Sequence, residues 1–406
     1  MTGIVQKGAI FLSMLFLFGC AGSSKSSYLH KSPYIPMETL SVGSILHVPT
    51  GTLVSRDDLM GYMEGSRVVY VGESHTNSAH HKVQLDIIKT LSERGQIAVG
   101  MEMFSRSSQA ELDRWLKGEL DDKAFFRLWM DNWGLDYEYY REILEFVRRN
   151  NIPLIGLNMS RGEVSDMIDG HNAKKKAVPQ PELDEYDPYH RAMIKAVFRD
   201  PSHGSASDFD SFYRVQLLWE ETMAETVAMY LENPENKDKG MVVLSGGGHV
   251  AYGFGIPKRV FRRLKEPYTI VLPVSPDAGD KKTAKRLGVK MLKSDMPDVP
   301  LYAADFAWAV AYESLEGMAA RLGVALVDEA GAVRVSNIEP RSNAQRAGVR
   351  EGDLIKGFDG LPVKDRYDLL YYLSKKRAHD TIILTLVREG NKKDVTVVFE
   401  PYEESN

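Results

Sequence analysis

The chain has 406 residues, of which 43% are hydrophobic and 26% are charged, and this composition excludes a fibrous or intrinsically disordered protein. Its length predicts two or three domains. The formal net charge of −5 leaves no overall basic surplus with which to bind nucleic acid. The single cysteine, Cys20, excludes an intramolecular disulfide and a metal site built from several cysteines.

The first twenty residues have the pattern of an export signal. Lys7 precedes an apolar run over residues 9–18, which is followed by Gly19 and Cys20. Such a run is too short to cross a bilayer as a helix, which needs about 20 residues, but it is typical of a signal peptide. Residues 17–20 resemble the lipobox of bacterial lipoproteins, in which the cysteine is lipidated.

We therefore expect a signal peptide over residues 1–19, lipidation of Cys20, and a serine- and proline-containing tether over 20–49. The protein would be attached to a membrane of the bacterial cell envelope, with the outer membrane (periplasmic side or surface) as the expected location. The alternative is a plain secretory signal that is cut elsewhere.

Short apolar runs alternate with helical patterns between residues 50 and 276. Helices are predicted at 79–94, 137–149 and 187–199 from their apolar stripes. The alternation predicts an α/β fold with a mainly parallel sheet flanked by helices. The predicted strands cover residues 67–71, 97–101, 152–157, 241–244 and 268–274.

Polar side chains occur at or just beyond the ends of the first four predicted strands. The carboxyl ends of parallel strands meet at one edge of a sheet, and open α/β sheets bind ligands there. These side chains should therefore converge on one crevice, although each alone could equally be a capping or loop residue. They are Glu73, His75, Glu102, Asn158 and His249.

Several separated motifs in this region resemble the ChaN-type haem-binding lipoproteins. They are Gly-Glu-Ser-His at 72–75, His81 and Gln84, Gly-Met-Glu-Met-Phe at 100–104, and the segments 156–161, 212–224 and 246–250. The wider superfamily includes the erythromycin-esterase-like and TIKI/TraB-like proteins. The latter carry two Gly-x-x-His motifs and a glutamate, which residues 72–75, 246–249 and Glu102 match.

The resemblance implies a haem-binding domain over residues 50–276, with a tyrosine as the iron ligand and haem held at a homodimer contact. A phenolate is a hard anionic ligand suited to ferric iron. The candidate ligands are Tyr140, Tyr189, Tyr213 and Tyr252. The crevice itself would be lined by Glu73, His75, His81, Glu102, Asn158, Arg161 and His249.

A hydrolase of the same superfamily is the alternative function. His75, Glu102 and His249 would then hold a divalent metal, or His75 would act as a general base oriented by Glu73 or Glu102. Arg161 would stabilise an oxyanion. The catalytic residues would be Glu73, His75, Glu102 and His249.

The last eighty residues change character. Residues 277–300 are polar and predict part of a linker that extends to 320, with a helix over 303–321. Beyond it, the motifs at 340–344, 347–349, 352–355 and 359–363 resemble the PDZ domain of HtrA-like bacterial proteins, so we expect a small mixed β/α domain over 321–402.

The PDZ resemblance implies that an extended peptide pairs with the strand after residue 324 and runs beside the helix that begins near 366. The partner would be the C-terminus of an envelope protein. The alternative for the groove is that it is closed by its own chain or used for intramolecular docking. A further alternative for the whole protein is a scaffold whose upstream crevice has lost its ligand and whose PDZ domain recruits envelope proteins. The residues expected to bind the peptide are Leu322, Gly323, Val324, Leu326, Tyr367 and Leu370.

Overall fold

The computed structural model describes residues 37–134, 137–160, 162–164, 181–198, 209–279, 302–315 and 320–401. The predicted signal peptide, Cys20 and Arg161 lie outside the described residues, as does most of the predicted linker. The chain divides into two compact units. The first comprises Met1–Leu116 and Glu142–Glu313, and the second comprises Lys117–Arg141 and Ser314–Asn406.

The first unit is built on an eight-stranded sheet with the order β2-β1-β8-β7-β3-β6-β4-β5. The six strands from β8 to β5 run parallel to their neighbours, whereas β1 is antiparallel to both β2 and β8. The expected mainly parallel α/β sheet is therefore confirmed. The strands are β1 (Ile45–His47), β2 (Thr52–Val54), β3 (Val68–Glu73), β4 (Ile97–Ser105), β5 (Leu154–Asn158), β6 (Gly240–Gly246), β7 (Tyr268–Val274) and β8 (Phe306–Ala309).

Helices pack on both faces of the sheet. The alternating directions of the side chains along β3 show which helix lies on which face. Tyr70 belongs to the core formed with Met223 and Val227 of helix α7, whereas the Glu73 side chain contacts helix α2. Residues an odd number of positions apart in a strand point to opposite faces, so α2 and α7 lie on opposite sides. The helices are α1 (Arg56–Glu64), α2 (Ser78–Arg94), α3 (Gln109–Leu116), α4 (Asp122–Asn132), α5 (Tyr137–Arg149), α6 (Pro188–Phe198), α7 (Phe209–Glu232) and α8 (Ile256–Leu264).

Two sequence predictions about the edges of this sheet were wrong. Strand β1 lies inside the segment predicted to be a tether. Residues 306–309, predicted to be helical, form β8 between β1 and β7. The Phe-Ala-Trp-Ala run fits a helical stripe and a buried strand equally well, and pairing on both sides favours the strand. No helix among the described residues is both long and apolar enough to cross a membrane.

The second unit contains an antiparallel sheet with the order β14-β13-β11-β10-β9, and β12 pairs with β11. Strand β9 is therefore at the edge. A helix, α10, follows β12, and α4 packs against it. The elements are β9 (Val324–Glu329), β10 (Ala332–Ile338), α9 (Asn343–Arg346), β11 (Leu354–Phe358), β12 (Leu361–Pro362), α10 (Arg366–Ser374), β13 (Thr381–Arg388) and β14 (Asn391–Val398).

Residues 117–141, which lie within the domain predicted at 50–276, belong to the second unit, and the bounds of that domain stay a prediction. Helix α4 places Lys123 on Asp368 and Arg127 on Asp365, and its Phe126 ring packs edge-on against Tyr371. These partners are more than 230 residues apart in the chain, so local sequence patterns carry no sign of them.

Candidate functional site

The carboxyl ends of three neighbouring strands bring the site together. Glu73 is the last residue of β3 and lies directly opposite Gly246, the last residue of β6. Glu102 lies near the end of β4, on the other side of β6. One turn of 3-10 helix after β6 then carries His249 back over the strand ends.

Glu73 is the centre of the first cluster. Its Oε1 lies 2.7 Å from Nδ1 of His75, its Oε2 lies 3.3 Å from Nδ1 of His81, and the Gln84 amide donates a 2.6 Å hydrogen bond to Oε2. Burial favours the protonated acid, but the charges and hydrogen bonds of His81 and His75 outweigh it and hold the pKa of Glu73 well below its usual range. The carboxylate is therefore ionised inside the protein.

His249 is the centre of the second cluster. Its Nδ1 lies 3.2 Å from Oε1 of Glu220, and its Nε2 lies 3.5 Å from Oε1 of Glu102. Burial favours the neutral ring, but the two carboxylates, Glu102 above all, raise the pKa of His249 to about 10. A histidine with a carboxylate at each ring nitrogen is a buried cation at neutral pH.

The second cluster extends into helices α7 and α8. Glu220 also contacts His190 of α6, at 3.2 Å, and Arg259, at 3.3 Å. Its neighbour Glu221 pairs with Arg259 at 3.1 Å and with two further arginines. The sequence analysis missed Glu220, Glu221 and Arg259, although two adjacent glutamates within the otherwise apolar segment 217–224 were a usable signal.

The two clusters meet at Gly246. Its N–H donates a 2.7 Å hydrogen bond to Oε2 of Glu102. A Cβ atom added to this glycine would lie 3.3 Å from the His75 ring and 3.7 Å from Glu102. The glycine therefore lets the strand pass between the two side chains, and this close approach is the reason for a residue without a side chain there.

The structure brings together five of the seven predicted crevice residues: Glu73, His75, His81, Glu102 and His249. Asn158 is used locally, since its Oδ1 accepts a hydrogen bond from the N–H of Met159. The five assembled residues are each no more than 6% exposed. They form a buried ionic cluster at the strand ends, and a ligand crevice lined by these side chains stays a prediction.

The alternative of a metal site finds no support in the described part of the chain. No group of three or more His, Cys, Asp or Glu residues there is arranged to hold a metal ion. Both ring nitrogens of His249 are turned towards carboxylates. The Glu73–His75 pair does have the contact expected of a general base and its orienting carboxylate, but only 4% and 0% of these side chains are exposed, which leaves little surface for a substrate.

The four candidate tyrosines have very different environments. Tyr140 is fully buried beside Trp129, and Tyr213 is 2% exposed with its hydroxyl 3.2 Å from His190. Burial raises the pKa of Tyr213, which disfavours a phenolate. Tyr252 is half-buried at a φ of 58°. Tyr189, at the start of α6, is 46% exposed, and its ring stacks on Phe254 with centroids 6.1 Å apart.

The residues predicted to bind a peptide lie around β9, with one exception. Leu322 is buried, Gly323 has a φ of 73°, and Val324 and Leu326 pack on the core of the second unit. Leu370 is half-buried in α10. Tyr367 differs, because its hydroxyl donates to Asp131 of α4 and the Arg127 guanidinium covers its ring. Helix α4 thus holds the Tyr367 side chain, and a place for this residue in the peptide pocket stays a prediction.

Replacing the buried cation tests the second cluster. We expect His249→Leu to lower the free energy of unfolding by about 3–5 kcal/mol, because it removes the cation that lies between the buried carboxylates of Glu102 and Glu220. The pKa of His249 is raised on folding, so the stabilisation should be complete below pH 6.5 and be lost as the pH rises towards about 10. Urea unfolding of both proteins at several pH values measures the difference. A difference that grows with pH contradicts the assignment.

A histidine outside the cluster provides the control for that measurement. His379 is exposed and has a φ of 73°, a conformation that asparagine tolerates. His379→Asn should change the free energy of unfolding by no more than about 0.5 kcal/mol.

Two family models match the chain. Residues 59–260 match the model described as haem-binding uptake, Tiki superfamily, ChaN, and residues 320–398 match the PDZ domain. A search of curated proteins returned no match.

Among solved structures, cofacial haem binding to ChaN of Campylobacter jejuni aligns at 17% identity and a TM-score of 0.47, covering 67% of this chain and 97% of that one. A serine endoprotease from Yersinia pestis aligns at 20% identity and a TM-score of 0.20, covering 21% of this chain and 30% of that one. The HtrA3 PDZ domain bound to a phage-derived ligand aligns at 18% identity and a TM-score of 0.19, covering 20% of this chain and 87% of that domain. This chain thus spans about a third of the endoprotease it matches.

Its residues 59–260 form a ChaN-like domain of the haem-binding family, and its residues 320–398 form a PDZ domain.

Proposed function

We propose that the ChaN-like domain binds haem on an exposed aromatic surface, with Tyr189 as the ligand to ferric iron. The observation that carries this proposal is the 46% exposure of Tyr189, set against the burial of Tyr140 and Tyr213. A ligand must reach the iron with its hydroxyl oxygen, and an exposed phenol at the start of a helix can do so. Bound haem would supply a ferric centre with an axial position that a phenolate suits.

The surroundings of Tyr189 fit the remainder of a porphyrin. Phe254, which is only 6% exposed, stacks on Tyr189, and Tyr252 stacks on Phe254 with centroids 5.8 Å apart, so two further rings support the exposed phenol. Lys258 pairs with Asp184 and Asp187, just before Tyr189, at 2.8 and 2.9 Å. These pairs tie the segment before α6 to helix α8. A haem held on such a surface keeps one face uncovered, and a second copy of the chain would cover it.

Haemin titration followed by absorption spectroscopy tests the ligand. We expect Tyr189→Phe to weaken haemin binding by at least about tenfold and to abolish the tyrosinate-to-iron band, because phenylalanine cannot coordinate the metal. The matched control is Tyr186→Phe, three residues earlier and 91% exposed, which should leave binding unchanged. Equal spectra for both variants and the unaltered chain would reject Tyr189.

The PDZ domain supports a second binding function, capture of an extended C-terminal peptide. Strand β9 is the edge strand, and edge strands offer unpaired backbone groups to an added strand. The positive φ of Gly323 turns the backbone just before it, where the terminal carboxylate would bind exposed N–H groups. Val324, Leu326 and Leu370 present apolar surface, which favours an apolar last residue.

Two neighbouring residues of β9 allow a matched test of that groove. Leu326 is half-buried towards the core, whereas Val327 faces away and is 50% exposed. We expect Leu326→Ala to weaken binding of peptides ending in Val, Leu or Phe by roughly tenfold, since it removes buried apolar contact. Val327→Ala should have little effect. Fluorescence anisotropy with a C-terminal peptide library measures both, and equal affinities would contradict the assigned face.

We further propose that the protein is an envelope lipoprotein attached through Cys20. The supporting observations are the basic residue, the short apolar run and the Gly19-Cys20 pair of the N-terminal sequence. An acylated cysteine would fix the protein to a membrane when two or more chains insert. Labelling with radioactive palmitate should mark the unaltered protein and not Cys20→Ser. Equal labelling of both would reject lipidation at this residue.

A further inference from the structure

We propose that helix α4 keeps the Tyr367 ring out of the peptide groove between β9 and α10, which makes Arg127 and Asp131 positioning residues for peptide binding. This inference rests on the proposed peptide-binding function of the PDZ domain. Residues 122–132 lie outside the segment that matches the PDZ family model, so the helix is an addition to that fold.

The amino end of α10 is held by α4 through three contacts. Nη1 of Arg127 lies 2.9 Å from Oδ2 of Asp365, the residue that caps α10. The guanidinium carbon of Arg127 lies 4.4 Å from the centroid of the Tyr367 ring, within the range of a cation–π interaction. The Tyr367 hydroxyl donates to Asp131. Both sides of the tyrosine, ring and hydroxyl, are therefore held by α4.

Contacts of adjacent residues show which way each side of α10 faces. Leu369 is fully buried in the core of the second unit. Arg366 contacts Asp328 of β9 twice, through its backbone N–H at 2.7 Å and through the Nε of its side chain at 3.4 Å. The side of α10 that carries Arg366 therefore faces the groove. Asp368 pairs with Lys123 of α4 at 2.5 Å. With about 100° between successive residues, α4 covers the side of α10 that faces away from β9.

Tyr367 is adjacent to Arg366 at the first turn, and the Arg366 guanidinium also lies 5.2 Å from its ring. A rotation of the tyrosine side chain away from α4 would carry the ring past Arg366 towards β9. Asp328 marks this end of the groove, whereas the carboxylate-binding loop precedes β9 at the other end. The released ring would therefore occupy the space for peptide residues upstream of the terminal one.

The test uses the full chain and the tightest-binding peptide of the C-terminal library, labelled with fluorescein. We expect Arg127→Ala and Asp131→Ala each to raise the peptide Kd by about fivefold, because each removes a group that holds the Tyr367 side chain. Adding Tyr367→Ala to either variant should restore the Kd to within about twofold of the unaltered chain, because no ring remains to enter the groove. A merely loosened helix would not be rescued in this way.

Arg56→Ala is the matched control. Arg56 pairs with Asp86 at 2.7 Å in the first unit, and its side chain is 43% exposed against 53% for Arg127. This variant should leave the Kd unchanged. If the α4 variants bind as tightly as the unaltered chain, or if Tyr367→Ala fails to restore binding, the inference is overturned while the peptide proposal stands. If no library peptide binds the unaltered chain, both are overturned.

Discussion

Each buried carboxylate of the ChaN-like domain needs a positively charged or hydrogen-bonding partner beside it. This requirement determines which side chains meet at the carboxyl ends of the strands. Four carboxylates, those of Glu73, Glu102, Glu220 and Glu221, are each 6% exposed or less. An unpaired charge there would cost several kcal/mol, so each carboxylate has a histidine or arginine within about 3.5 Å. His81 and Arg259 come from helices α2 and α8, whereas His75 and His249 come from the turns after β3 and β6. The pairing thus fixes how α2, α7 and α8 sit on the strands.

The same pairing accounts for the deep burial of these side chains at the strand ends. In an open α/β sheet the carboxyl edge is where ligands bind, and the sequence led us to expect haem among these side chains. Salt bridges and hydrogen bonds from neighbouring elements occupy that space instead. The proposed haem ligand, Tyr189, differs from these side chains in having an exposed phenol, which stacks on the buried ring of Phe254.

The sequence was sufficient to predict most strands of the parallel sheet and the polar residues at their carboxyl ends. The apolar runs predicted β3, β4, β6 and β7 to within a few residues, and Glu73, Glu102 and His249 followed from them. Residues 306–309 were misassigned because a four-residue apolar run has no period of its own, and only its neighbours make it a strand. Exposure could not be predicted either, since Tyr189 and Tyr213 lie in similar helical patterns and differ only in what packs around them.

The second unit is made from two segments that lie far apart in the sequence and are therefore synthesised at different times. Arg127 and Asp365 are 238 residues apart, and at roughly 5–20 residues per second their synthesis is separated by about 12–50 seconds. During that interval Phe126 and Trp129, which are buried in the finished protein, have no PDZ domain to pack against. The second unit can therefore be completed only after the strands between residues 324 and 398 have been synthesised.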